Sequence, residues 1–150
     1  MKVRLSVQEE RYDEIKSLLS QHGIEVDDEA ELVLHESGVF TRRLMVKAPD
    51  ANERVILSVE DILYIEACGH TVEVHTAHSV YHAYDRLYQL QSQLDPEQFL
   101  RISNSVVIAK KQVRRIAPTL SMKFILTMAD GKKVDVTRSY YYSFKETFGI

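Results

Sequence analysis

The sequence predicts a mainly β domain over residues 54–150 behind a small α/β appendage over residues 1–47, and three observations carry that expectation. From residue 54 onward, short alternating apolar stretches recur with turn residues between them, the pattern of a sandwich or roll. Ala129-Asp130-Gly131-Lys132 is a tight hairpin signal, because Asp-Gly supplies the positive φ angles that match strand twist. Ala48-Pro49-Asp50-Ala51-Asn52 is short, polar and proline-containing, and marks the boundary between the two parts.

In the appendage, Lys2-Val3-Arg4-Leu5-Ser6-Val7 alternates with period two and reads as a half-buried strand. Tyr12, Ile15, Leu18 and Leu19 follow helical spacing, and Gly23 sits where a helix stops in a left-handed cap. Residues 31–35 read as a second strand, and Val39-Phe40 to Val46 as a third. So small a unit would leave the ladder edges of strands 2–7 and 31–35 unpaired. Unpaired edges are normally covered, so a homodimer joined through the appendage is expected.

In the second part, strands are expected over residues 54–59, 62–66, 71–76, 79–83, 99–103, 106–109, 113–117, 123–128 and 132–136. Two short helices interrupt them. Tyr84, Leu87, Tyr88, Gln91 and Leu94 carry one, which Asp95-Pro96 stops. Ser139 is the expected cap of the other, whose Tyr141, Phe144 and Phe148 fall on one face.

Of the 150 residues, 45% are hydrophobic and 27% charged, an ordinary globular balance that excludes a long disordered or collagen-like chain. Apolar runs such as Phe124-Ile125-Leu126 fall far short of the ~20 residues of a membrane span. The lone Cys68 forms no internal disulfide, and with no CxxC pair a reducing, cytoplasmic setting is expected. The net charge of −3 hides a sharp division. Residues 1–53 hold 7 basic and 12 acidic side chains, residues 54–99 hold 2 and 7, and residues 100–150 hold 10 and 3. Base clustered in an otherwise acidic chain is the footprint of one face that meets phosphate, or of a solvated lysine-rich surface.

Signals for catalysis are missing: no phosphate loop, dinucleotide fingerprint, H-E-x-x-H or G-x-S-x-G occurs, so no enzyme and no cofactor are expected. Cys68, His70, His75, His78 and His82 offer metal-ligand types, but a strand of about five residues spreads them roughly 15 Å at ~3.3 Å per residue. The expectation is no metal, with His75 on the exposed face of its strand opposite Val72 and Val74.

Three segments share one design. Ile62-Leu63-Tyr64-Ile65-Glu66-Ala67-Cys68-Gly69-His70 runs an apolar strand into a glycine turn that presents a histidine. Phe99-Leu100-Arg101-Ile102-Ser103-Asn104-Ser105 runs a strand into a polar triplet, and Val134-Asp135-Val136-Thr137-Arg138-Ser139-Tyr140 runs one into a helix start. With the Ala-Asp-Gly-Lys hairpin, in this order and spacing, they make residues 54–149 resemble the LytTR-type DNA-binding domain of bacterial response regulators. The resemblance implies a roll of short antiparallel sheets with two short helices that reads double-stranded DNA with loops. It places His70, Asn104 and Arg138 at base edges. Side-chain chemistry agrees: arginine matches guanine O6 and N7, asparagine adenine N6 and N7, and histidine donates or accepts. Arg101, Ser103, Ser105, Lys110, Lys111, Arg114, Arg115 and Ser139 are the expected phosphate contacts, which set register without reading sequence. The chain departs from the family pattern at Ser103, often histidine there, and at Ala109, often asparagine. Singly, Asn104 reads as a turn residue, Arg138 as an ion-pair partner of Asp135 and His70 as a solvated tip; the joint pattern points to DNA.

The functional expectation is a bacterial transcription regulator without a receiver domain, since about fifty residues cannot hold a doubly wound fold of ~120. It is expected to bind duplex DNA and not RNA, and by resemblance a membrane protein is a further candidate regulator. The rival is an interaction module of the same fold that modulates another regulator. Steep salt dependence of binding separates a DNA reader from such a module.

Overall fold

The computed structural model describes residues 1–36 and 40–150, and the chain divides after Thr41 into two units. Val39, where the third appendage strand was expected to start, lies outside the described residues. In the first unit, β1 (Lys2–Ser6) leads into α1 (Glu9–Gln21), β2 (Glu25–Val26) and β3 (Leu32–His35). Gly23, at φ +76°, follows the helix as the left-handed stop. The helix carries the chain back over the sheet, so β2 and β3 both run parallel to β1, in the order β2-β1-β3. This corrects the expected open edge on β1: the strand is central and paired on both sides, and the edges belong to β2 and β3. Glu36, just past β3, accepts from the Gln8 amide at 3.1 Å and from Arg11 at 2.7 Å. Those two hydrogen bonds hold its carboxyl below the usual carboxylate range and place negative charge at the start of α1.

The second unit begins with β4 (Arg43–Lys47) and β5 (Arg54–Ser58), then β6 (Ile62–Cys68), β7 (Thr71–Thr76), β8 (Val80–Ala83) and α2 (Leu87–Gln93). It continues with β9 (Phe99–Arg101), β10 (Val106–Ala109), β11 (Val113–Pro118), β12 (Phe124–Met128), β13 (Lys133–Val136) and α3 (Tyr141–Phe148). Seven strands form one sheet in the order β5-β4-β8-β7-β6-β10-β9, and three form another in the order β11-β12-β13. All their pairings are antiparallel. The sequence-derived boundary at 48–52 is therefore the turn of the β4–β5 hairpin. Arg43–Lys47 leaves the appendage for the large sheet because Leu44 and Val46 bury there between β5 and β8.

The large sheet is covered on both faces. Leu87, Leu90 and Leu94 of the α2 region pack with Val46, Ile65, Val74 and Val107 on one. On the other, Leu63, Tyr64, Ile102 and Ile108 meet Phe124, Leu126, Met128 and Val136 of the small sheet, with Phe144 of α3 fully buried among them. This two-sided burial explains the unbroken apolar run at 62–65. A register irregularity between Ile62 and Tyr64 also lets the consecutive Leu63 and Tyr64 face the same core. Two expectations about helices change. Helix α2 starts at Leu87, with the Gln89 side chain accepting from the Arg86 amide at 2.9 Å, so Tyr84 precedes it. Ser139 caps nothing: it lies inside a 3-10 turn, Arg138–Tyr140, that runs directly into α3. No helix among the described residues is long and apolar enough to cross a membrane.

Candidate nucleic-acid interface

Backbone pairing brings two of the three polar junctions together. Strand β10 pairs antiparallel with β6, Val106 opposite Glu66, and the Ala67 amide donates to the Ser105 carbonyl at 2.7 Å. The Thr137 amide donates to the Ile102 carbonyl at 3.0 Å, which sets the end of β13 beside the end of β9. Between them opens a cleft of about 610 Å³ lined by Ser103, Asn104 and Ser105 on one side and Asp135, Thr137, Arg138 and Ser139 on the other, with Glu66, Lys123 and Lys133 completing its wall. The β6–β7 hairpin adjoins it. Gly69, at φ +62°, takes the first of its two turn positions, where type II′ turns favour glycine, and His70 is exposed at the tip. His70 does not line the cleft; it stands at the same end of the sheet, two residues past Cys68.

The triplet is held from beneath by Arg101. Its guanidinium donates to the carbonyls of Ser103 at 2.7 Å and Asn104 at 2.5 Å, and to Gln91 of α2 at 2.8 Å. Ser103 is buried, accepting from the Ser105 amide at 3.2 Å. Arg101 and Ser103, expected on phosphates, are thus built into the turn, because the short loop needs internal donors and acceptors once its carbonyls leave the ladder. Asn104 stays exposed, its Oδ1 accepting from the Tyr140 hydroxyl at 3.3 Å. Arg138 is exposed, and among the described residues no ion pair reaches it; the pairing with Asp135 does not form.

The expected phosphate residues divide. Ser105 and Ser139 line the cleft. Lys110, Lys111 and Arg114 follow the far end of β10, on the order of 13 Å along the strand from the triplet. Lys111 pairs there with Glu60, and Arg114 donates to the Lys111 carbonyl at 2.8 Å. Arg115 faces a separate hollow with Ile125, Thr127 and Lys133. The cations that line the cleft beside Arg138 are Lys123 and Lys133, which the sequence reading passed over. The signal that finds them is strand register: Phe124 opposes Val136 and Thr127 opposes Lys133, so Lys123 directly precedes β12 at the junction end and Lys133 opens the strand that ends there.

His75 is buried, not exposed. It stacks on Tyr64 with ring centroids 4.1 Å apart, and its Nε2 lies 3.2 Å from Glu73 Oε1. The reason is that the face it shares with Tyr64 is the one the small sheet covers. Burial pushes its pKa below the usual value, against the opposing hydrogen bond from Glu73, and pushes that of Tyr64 up to about 12. Of the five metal-ligand candidates weighed from sequence, only Cys68 joins a close group among the described residues, with Glu66 and Glu73, one donor atom of each within 4.8 Å. Desolvation first and those two carboxylates next push the Cys68 thiol up to about 11.

Packed antiparallel sheets thus gather polar loops, with the exposed Asn104 and Arg138, around an open cleft at one end of the second unit. Residues 52–149 match the family described as LytTr DNA-binding domain, and the chain belongs to that family. Sensory transduction protein LytT of Bacillus anthracis is 29% identical over 96 residues, 64% of this chain and 39% of that protein. Transcriptional regulatory protein LytR of Staphylococcus aureus (strain N315) is 24% identical over 125 residues, 83% of this chain and 50% of that protein. The chain thus spans half or less of the curated relatives it matches here. A LytTr DNA-binding domain from Bacillus cereus superposes with a TM-score of 0.68 at 21% identity, covering 73% of this chain and 99% of that one, which shows the shared fold.

Proposed function

We propose that this protein is a cytoplasmic bacterial transcription regulator that binds double-stranded DNA sequence-specifically, as a homodimer, through the loops at the cleft end of its second unit. The observation that carries the reading is the pair Asn104 and Arg138, both exposed on one cleft, with Arg138 left without an ionic partner among the described residues. Membership of a DNA-binding family and the regulator names of its relatives support it. Arg138 reads guanine O6 and N7, Asn104 reads adenine N6 and N7, and His70 reaches a neighbouring edge from the β6–β7 tip. Lys123, Lys133, Ser105 and Ser139 hold phosphates around them and fix register. Arg101 acts behind Asn104, not on the duplex. Dimerisation falls to the first unit, where β3 pairs with β1 alone among the described residues and Leu32 and Leu34 are exposed.

The test is selection of bound duplexes from a random pool by the purified full chain, followed by affinity for the selected and a scrambled duplex. Enrichment of one sequence, with a preference that Asn104→Ala and Arg138→Ala each reduce, is the expected result. Equal affinity for every duplex would overturn it.

A further inference from the structure

We infer that the β11–β12 turn, residues 119–122, is a further DNA-reading loop in which Leu120 touches the methyl group of a thymine. The inference rests on the DNA-binding reading above and extends it to a segment that reading does not use. Pro118 pairs with Phe124 and Phe124 with Val136, so this turn leaves the small sheet at the end where the Arg138 junction begins. Lys123, which closes the turn, lines the cleft together with Asn104 and Arg138. Leu120 is fully exposed, the most exposed of the large apolar side chains described.

The turn is built to hold that position. The Thr119 amide donates to the Lys123 carbonyl at 3.0 Å, the Thr119 hydroxyl donates to the same carbonyl at 3.1 Å, and the Ser121 amide donates to that hydroxyl at 3.4 Å. Met122 completes the turn at φ +57°, a left-handed conformation uncommon for a residue with a flexible, unbranched apolar side chain. A turn ordered this way presents Leu120 to solvent at little further entropic cost on binding. The chemistry of the ligand follows from its neighbours. The edges that Asn104 and Arg138 match all lie in the major groove, and the apolar group exposed there is the thymine 5-methyl. A leucine beside a phosphate-holding lysine, on the same end of the sheet, meets that methyl.

The experiment uses the full chain and its selected duplex, with each thymine replaced in turn by deoxyuridine, which deletes only the methyl. Wild type should lose about fourfold in affinity at one thymine, the value of one buried methyl-sized group. Leu120→Ala should bind the thymine duplex about fourfold more weakly and lose the distinction from deoxyuridine at that site. Because Leu120 is fully exposed, the substitution leaves the core untouched. Unchanged affinity in Leu120→Ala, or a deoxyuridine penalty that persists in full, overturns the inference while the preference of wild type for its selected duplex leaves the DNA-binding reading standing. Loss of affinity through unstacking, seen as a rise in fluorescence of 2-aminopurine placed beside the site with no methyl effect, overturns the methyl contact in favour of a wedge. A wild type that prefers no duplex overturns the underlying reading instead.

Discussion

Arg138 and Asn104 share a cleft but are held differently. Asn104 is fixed by Arg101 through its carbonyl and by Tyr140 through Oδ1, whereas Arg138 extends from a 3-10 turn with no ionic partner among the described residues. On the proposed reading, truncating Arg138 removes a DNA contact and leaves the fold alone. Arg138→Ala should lower the preference for the selected over a scrambled duplex by ~1–3 kcal/mol while weak general binding remains. A preference equal to wild type would remove Arg138 from base reading. Cys68 gives a second prediction. With its thiol pushed up to about 11, its thiolate fraction at pH 8 is far below that of an ordinary thiol, so alkylation should be slower by about tenfold once the greater nucleophilicity of the more basic thiolate is counted. Glu73→Gln should speed it, and mass-spectrometric timing of iodoacetamide labelling checks both. His75 gives a third. Its folded pKa lies below 6.5, so as pH falls through 6.5 the unfolded chain takes up a proton that the folded chain refuses until lower pH, and stability declines. The melting temperature should fall as the pH is lowered through 6.5, and His75→Phe, which keeps a ring on Tyr64, should flatten that drop.

At the scale of elements, the turn 103–105 depends on a splint from its own strand. Arg101→Gln removes the two donors to the turn carbonyls, so on the proposed reading binding should weaken through the loop; hydrogen exchange in the free protein should rise at residues 103–105, which a phosphate-contact role would not produce. The paired lysines make a second contrast. Replacing Lys123 and Lys133 by alanine should lower the logarithmic salt slope by about two, at roughly 0.9 per phosphate, whereas replacing Lys110 and Lys111 should change it little. The reverse result would move the duplex to the far end of β10. Strands β5 to β13 were legible in the sequence because alternation and turn chemistry are local properties; at the Asp130-Gly131 hairpin the turn falls where expected, but the loop runs over residues 129–132 and only Gly131 takes the positive φ expected of the pair. The wall of the cleft was not, because it is set by register between strands distant in sequence. Lys123 and Lys133 sit apart from the basic run 110–115 that draws the eye. His75 fails for a related reason: period two says that it shares a face with Glu73, but not that the small sheet covers the inner end of that face.

At the scale of the molecule, the chain divides after Thr41 into two compact units, and that sets where a truncation should fall. A chain starting at Arg42 keeps β4 between β5 and β8, whereas one starting at Asn52 loses it and uncovers the places of Leu44 and Val46. Two buried aliphatic side chains at ~1.5–3 kcal/mol each put the expected difference in stability between the two chains at about 3–6 kcal/mol, readable by urea unfolding. If the first unit joins two copies, sedimentation should find a dimer for the full chain and a monomer for the chain from Arg42; a dimer that survives the truncation would move the interface to the second unit. The placement of duplex DNA across the cleft end of the second unit is tested most directly by amide hydrogen exchange of the full chain with and without its selected duplex. New protection should appear at residues 68–71, 103–105 and 137–139, with residues 110–115 unchanged; protection confined to 110–115, with the three loops exchanging as in the free protein, would put the duplex at the far end of β10 instead.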